Sequence, residues 1–400
     1  MSTSSYSPRS SLESLRADSP APSHFEPDFL APQIQGPQVW EGSELDQKNA
    51  IVPLFPEDVD AVRAAVVSFR YLNHPGAELT HINKTTFVLP EALSAKLATI
   101  SEMVHLGQGI GIARGLHAAN FNDEEAIIAY AGVNAHVAPL RATDDFANQT
   151  LSKLLTNKTG HIRDATHEKV PEWANGIGLA GSKITSAMDY HSDRYSGDIL
   201  SMYLRNLGEK GGDQYVASWS RIYNELLKTE PEVLETMAAP DWPFELKLKD
   251  GSTIQDDGPV LFFANNKPIL QLVKAPLEGT PRIPRSPSMT PLTSSQKHAM
   301  STVQALAAKY GTKLTRQAGD IQYINNLGVL HARDAYEGAK AGVPSTRHTL
   351  RMFLKDDRRA WAKPESYRAR FDNPFQKRKE EFTIVDLDPW RKISGRESHG

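Results

Sequence analysis

The chain has 400 residues, 40% of them hydrophobic and 23% charged, an ordinary make-up for a globular protein of one large domain or two smaller ones. Lys+Arg number 45 against Asp+Glu 48, a net charge of −3, so no basic excess points to nucleic acid or to a membrane surface. Cys is absent, which removes disulfides, zinc–thiolate sites and Cys nucleophiles together and fits a reducing, cytoplasmic compartment.

The first 32 residues are rich in Ser and Pro and lack a hydrophobic h-region, so they read as a disordered tail rather than a secretory signal. Glu13, Asp18 and Glu26 argue against a transit peptide as well. No apolar run approaches the ~20 residues of a membrane span. The chain is expected to become globular near Glu57, with a single domain over 57–398. Apolar spacing predicts a helix over Ala61 to Phe69, started by Pro56-Glu57-Asp58. An extended piece follows at Phe87 to Pro90, then a helix over Leu93 to Leu106.

Gly109 to Ala113 reads as a buried strand; the glycines from Gly107 do not complete a dinucleotide fingerprint, since Ile112 or Arg114 stands where its third Gly belongs. Asp123 to His136, with an acidic first turn, is a helix. From Asp189 onward strands dominate, at Ile199 to Leu204 and Gln214 to Ser218, joined through the turn Glu209 to Asp213. A capped helix over Ser220 to Lys228 and strands at Phe244 to Leu248 and Val260 to Phe263 come next. Gly279 to Thr293 is a Pro- and Ser-rich loop, Ser294 to Tyr310 a helix with Ser at its N-cap, and Ile321 to Ile324 and His348 to Leu354 close the series as strands. No repeat is visible. Helices first and short strands after suggest one α+β domain built on a jelly roll.

His191-Ser192-Asp193 sets two metal-ligand types at i and i+2, which share one face if the segment is an extended strand. Two His and one carboxylate with open positions form the facial triad of non-haem iron oxygenases. The pair alone is weak. With 13 His and 48 acids in 400 residues, about one or two such pairs arise by chance, and His24-Phe25-Glu26 in the tail is another. A third member is available in His331, although a lone His after a strand is more often structural. Downstream, Arg347, Thr349 and Arg351 share one face of a strand. A buried Arg needs an anionic partner, either a protein carboxylate or a bound one.

Four stretches together resemble the taurine dioxygenase/aryloxyacetate dioxygenase-like (TauD/TfdA) Fe(II)/2-oxoglutarate oxygenases, their fungal branch in particular. They are Tyr190 to Asp193, Gly211-Gly212-Asp213 leading to Ile222 through Leu226, Gly319 to Arg333, and Arg347 to Leu354. The closing Asp388 to Arg391 and Gly395 to Glu397 are similar too, and the likeness covers about 60–398. It implies a double-stranded β-helix (jelly roll) of the clavaminate synthase-like type with flanking helices, and His191, Asp193 and His331 as iron ligands. It also implies Arg347 on the distal carboxylate of 2-oxoglutarate, with Arg351 beside it facing co-substrate or substrate. Where the family often has Thr or Ser, after the Gly-Gly-acid turn, this chain has Gln214, whose longer amide can still donate. Relatives that halogenate lack the carboxylate, so Asp193 favours hydroxylation of a C–H bond, with desaturation using the same ligands.

The expected partners are a small organic substrate, anionic or of secondary metabolism, 2-oxoglutarate and O2, with homo-oligomerisation left open. Two other classes remain: a catalytically silent jelly-roll binding protein, and a zinc or manganese hydrolase or isomerase on the same fold. No nucleophile elbow, phosphate loop or HExxH helix occurs. His161 and His167 read as surface residues, and Gly279 to Thr293 and Asn157 to Ile184 as candidate lids.

Overall fold

The computed structural model describes residues 30–73, 81–142, 161–162, 185–247, 253–280 and 284–376. Residues 1–29, most of the 157–184 segment and the closing motif after 376 lie outside it, as do His24, His167 and the side chain of His161.

Eleven strands make two facing sheets: β1 Ile51–Pro53, β2 Ile110–Arg114, β3 Leu140–Arg141, β4 His161–Ile162, β5 Met188–His191, β6 Ile199–Asn206, β7 Gln214–Ser218, β8 Thr312–Lys313, β9 Ile321–Asn325, β10 Val329–Arg333 and β11 His348–Lys355. The larger sheet runs β1-β2-β9-β6-β11-β3, with β4 also paired to β11; the smaller runs β8-β7-β10-β5. All pairings except the parallel β1–β2 are antiparallel. This is the jelly-roll arrangement expected, and the Glu209 to Asp213 turn carries the chain from the large sheet to the small one.

Strand periodicity sorts the side chains. On the large sheet Ile199, Tyr203, Ile321, Tyr323, Leu350, Met352 and Leu354 point outward into a core shared with the helices α1 Pro56–Val67, α2 Glu91–His105 and α3 Asp123–Val137. Leu200, Met202, Leu204, Ile324 and Phe353 point inward, where they meet Val216 and Val329 of the small sheet. Behind the small sheet, Ala217 and Leu330 pack under α4 Trp219–Thr229, α5 Pro231–Ala238 and α6 Ser294–Tyr310. Because both faces of β6 are covered, it reads in sequence as an apolar run from Ile199 to Leu204, interrupted by the buried Ser201.

Helix α3 is buried on every side from Ala126 to Val137, and a Cβ at Gly132 would fall within 2.5 Å of the Phe87 ring, which is why the helix carries a glycine at mid-length. Its start is a capping box, Asn122 with Glu125. Helix α6 is capped by Thr293, which pairs with Gln296, and not by the expected Ser294. Likewise Ser218 caps α4, two residues before the expected start. The hairpin strand Thr253–Gly258, half-exposed and broken by Asp256 and Asp257, has no periodicity to betray it.

Packing is already present from Leu30, well before Glu57. Trp40 is 2% exposed and its indole N–H donates to Gln108 O at 2.9 Å. The Asn224 side chain both donates to Ile34 O and accepts from Ile34 N, each at 2.8 Å, and the Tyr223 hydroxyl donates to Ala31 O. Irregular backbone held by isolated anchors leaves no pattern for sequence reading to find.

Just past β11, Asp356 ties the large sheet to α2. It is 0% exposed and accepts from Ser101 Oγ at 2.8 Å and from Arg358 Nε at 2.9 Å. Burial pushes its carboxyl up, but the bonds from Arg358 and Ser101 outweigh burial and hold it well below the usual carboxylate range. A depressed pKa contributes stability above the unfolded value of about 4, lost as pH falls toward the folded one. Asp356→Ala should therefore cost about 1–3 kcal/mol at neutral pH. In denaturant titrations the gap from wild type should narrow below about pH 4; a pH-independent gap would contradict the account.

Candidate metal centre

His191 is the last residue of β5, and it sits directly opposite His331 of β10 in the antiparallel register. Cross-strand neighbours project on one face, so the two rings meet with centroids 4.2 Å apart and planes at 53°. The expectation that Asp193 shares an extended strand with His191 is not met: β5 ends at His191 and the chain turns out of the sheet. Hydrogen bonds replace the strand. Ser192 N–H donates to Leu272 O at 3.0 Å and its hydroxyl to Leu270 O at 2.9 Å.

Asn326, 0% exposed, then grips Asp193 from both sides. Its Oδ1 accepts from Asp193 N at 2.8 Å, and its Nδ2 donates to Asp193 O at 2.7 Å and to Gly197 O at 2.9 Å. Farther on, Tyr195 takes a left-handed backbone (φ 49°), with its N–H on Gln271 Oε1 at 2.7 Å. The Asp193 carboxylate is thereby held 3.4 Å from His331 Nε2 and 3.9 Å from His191 Nε2. One ligand atom from each of the three side chains lies within 4.8 Å of the others, and all three groups are buried.

Burial first, and then the neighbouring His331, push the His191 pKa down to about 4, against the pull of Asp193. The ring is neutral at physiological pH. Its Nδ1 lies 2.7 Å from the carbonyl of Asp189, which can only accept, so Nδ1 carries the proton and Nε2 turns a lone pair toward Asp193 and His331. Two imidazoles and one carboxylate, converging out of reach of bulk water, fit a divalent transition metal with open positions. Asn326 falls inside the Gly319 to Arg333 stretch, but Asn before Leu327-Gly328 reads as turn chemistry, so the sequence alone gives it no role. Asn326→Ala should lower Fe(II) or Mn(II) affinity about 10–100-fold, as measured by calorimetric titration. Unchanged affinity would mean Asp193 holds its place unaided.

The cluster opens into a cavity between the sheets. Leu200, Met202, Ile324, Thr349 and Arg351 line it from the large sheet, Gln214, Arg333 and the two histidines from the small one, and Arg347 from the approach to β11. The structure thus brings together His191, Asp193, His331, Gln214, Arg347 and Arg351, and adds Arg333, two residues past His331 on the same face of β10. Arg347 is 4% exposed, with the Tyr336 ring centroid 5.2 Å from its guanidinium. Gly212 (φ 70°) lies against it: a Cβ there would be 3.1 Å from Arg347 Nε. Burial, with Arg333 next in effect, lowers the Arg347 pKa to about 10, so it is cationic at neutral pH. Its Nε and Nη1 make no hydrogen bond among the described residues. A buried, unpaired guanidinium awaits an anion. Gln214 lines the same cavity. Its Nε2 lies against Met202 Sδ at 3.4 Å, and its unpartnered atom is the acceptor Oε1.

Comparison with known proteins bears on the family and the fold. The profile of the taurine catabolism dioxygenase TauD, TfdA family matches residues 69–353. A taurine hydroxylase-like protein of Stachybotrys chartarum is 30% identical over 358 residues, covering 89% of this chain and 88% of that protein. The FR-33289 synthase of Streptomyces rubellomurinus is 20% identical, covering 82% and 91%. Among solved structures, an asparagine oxygenase with Fe(II), 3-hydroxyasparagine and succinate has a TM-score of 0.52 at 14% identity, over 78% of this chain and 95% of that one. The non-haem iron oxygenase OrfP with Fe and α-ketoglutaric acid has a TM-score of 0.51 at 13% identity, over 77% and 94%. These two carry the fold. Among the described residues no helix is long and apolar enough to cross a membrane. By the extent of the profile match and of the fungal relative, the chain belongs to the taurine catabolism dioxygenase TauD, TfdA family.

Proposed function

We propose that this chain, an Fe(II)- and 2-oxoglutarate-dependent dioxygenase of that family, holds its metal with His191, Asp193 and His331 and anchors 2-oxoglutarate with Arg347. It hydroxylates a C–H bond of a small organic anion. The observation that carries the reading is the meeting, in one cavity, of a His/Asp/His cluster and a buried guanidinium with no counter-ion among the described residues. Fe(II), 2-oxoglutarate and O2 supply the oxidising chemistry when bound, with succinate and CO2 as co-products.

The protein's part is placement and exclusion of water. The two histidines would offer ring nitrogens to the metal, and Asp193 would offset part of its charge. Arg347 pairs bidentately with the distal carboxylate of the co-substrate. Leu200, Met202 and Ile324 form an apolar wall that keeps water from the reacting carbon. Arg351, two residues beyond Thr349 on the same wall, faces the substrate side and suits a sulfonate or carboxylate. The absence of Cys fits a cytoplasmic enzyme, and the dioxygenase domain takes in the packed segment from Leu30.

The test is release of succinate from 2-oxoglutarate by the Fe(II)-loaded protein, screened against small sulfonates, carboxylates and amino acids. Stimulation by one such compound, with the hydroxylated product seen by mass spectrometry, is expected. No binding of 2-oxoglutarate by the metal-loaded protein would sink the reading.

A further inference from the structure

Past β11 the chain returns to the back of the metal centre. Asp193 to Asp198 is buried, irregular backbone, with Tyr195 (φ 49°) and Gly197 (φ 147°) at positive φ. Outside a ladder, such a loop keeps one shape only where other contacts fix it. The segment from Trp361 to Phe375 supplies them. Lys363 Nζ donates to Asp198 Oδ2 at 2.8 Å and to Trp361 O at 3.0 Å, and the two charged side chains are 5% and 2% exposed. The Phe371 ring meets Tyr195 edge-on with centroids 5.2 Å apart, and a Cβ at Gly197 would lie 3.2 Å from Phe375 Cζ. The Trp361 indole covers Gly328, where a Cβ would fall 2.7 Å from its Cη2. One segment therefore touches both the loop that carries Asp193 and the turn that carries Asn326.

A continuous path runs from Lys363 to the ligand. Asp198 O accepts from Asn326 N at 2.9 Å, and Asn326 holds Asp193 through both ends of its amide. A buried ion pair adds little net stability over apolar residues of the same size, so stability alone is a weak reason for this one. What it adds is direction: a charge-assisted bond fixes Asp198, and with it Asn326, at one setting.

We propose that Lys363 is a positioning residue for the metal centre, holding the Asp193 carboxylate in place through Asp198 and Asn326. The assignment rests on the reading of Asp193 as a metal ligand and extends that site to a segment beyond the jelly roll.

Calorimetric titration of Mn(II) into the metal-free full chain tests it, together with the electron paramagnetic resonance spectrum of the bound ion. Lys363→Met should weaken Mn(II) binding roughly tenfold, the lower end of what losing a ligand's orienting partner costs, and broaden the bound-ion spectrum. If that variant fails to fold because Asp198 is left buried and unpaired, Asp198→Leu combined with Lys363→Met carries the same expectation. The double change removes both charges at similar volume, which is often neutral for stability. Arg114→Met is the control. It breaks the pair with the 0% exposed Asp320 at the other end of β9 (Nη2 to Oδ2 2.7 Å), and should lower the melting temperature with Mn(II) affinity unchanged. Wild-type Mn(II) affinity and spectrum in a folded Lys363 variant overturn the proposal, and so does an equal loss in Arg114→Met; the pair then serves the fold alone. In either case only the Lys363 assignment falls. If His331→Ala binds Mn(II) as wild type does, the ligand reading itself falls.

Discussion

Replacing His331 with alanine is expected to lower Fe(II) or Mn(II) affinity by more than roughly 100-fold and to bring succinate release to background. Removing a partner that merely orients a ligand costs about 10–100-fold in metal affinity, so losing one of three ligands must cost more. His191→Ala should behave the same way, because the two rings face each other across one register position and neither has a substitute among the described residues. Stability gives an independent readout. A metal that binds only the folded chain adds about 2.7 kcal/mol when present at 100 times its Kd. Wild type should melt higher with Mn(II), and both variants should show no such gain. A variant that keeps the metal-dependent rise would place the metal elsewhere.

The histidines could be found from sequence and the device that orients Asp193 could not, for a physical reason. His191, His331, Arg347 and Arg351 are residue types whose chemistry announces itself, and their strands carry the period-2 pattern that places them on the inner face. The strand assumption for Asp193 fails because periodicity does not reveal where a strand ends. There the geometry passes from ladder bonds to the side chain of Asn326, 133 residues away in sequence. The same holds for Leu30 to Phe55, whose anchors pair with residues far along the chain. Gln214 was recognised as a departure from the family pattern, but the direction of its amide depends on Met202, a contact between two sheets that no local pattern encodes.

Arg347→Met should separate binding from stability. Arg347 is a buried cation whose Nε and Nη1 make no hydrogen bond among the described residues, with Arg333 and Arg316 adding to its discomfort. An unbranched apolar side chain of comparable reach removes that penalty, and replacing buried charge by well-packed apolar groups is often neutral or stabilising by about 1–4 kcal/mol. The variant should therefore melt at or above the wild-type temperature when no 2-oxoglutarate is present. Its affinity for 2-oxoglutarate should fall about 30- to 4,000-fold, the cost of about 2–5 kcal/mol for truncating one partner of a buried, hydrogen-bonded charge pair. Binding of 2-oxobutyrate, with no distal carboxylate to lose, should hardly change, and Mn(II) affinity should not change. Differential scanning fluorimetry with and without 2-oxoglutarate reads both arms: wild type gains on adding the acid, the variant does not. A variant that melts well below wild type yet still binds the acid would show that Arg347 serves the fold, and that the anion site lies with another guanidinium of the cavity.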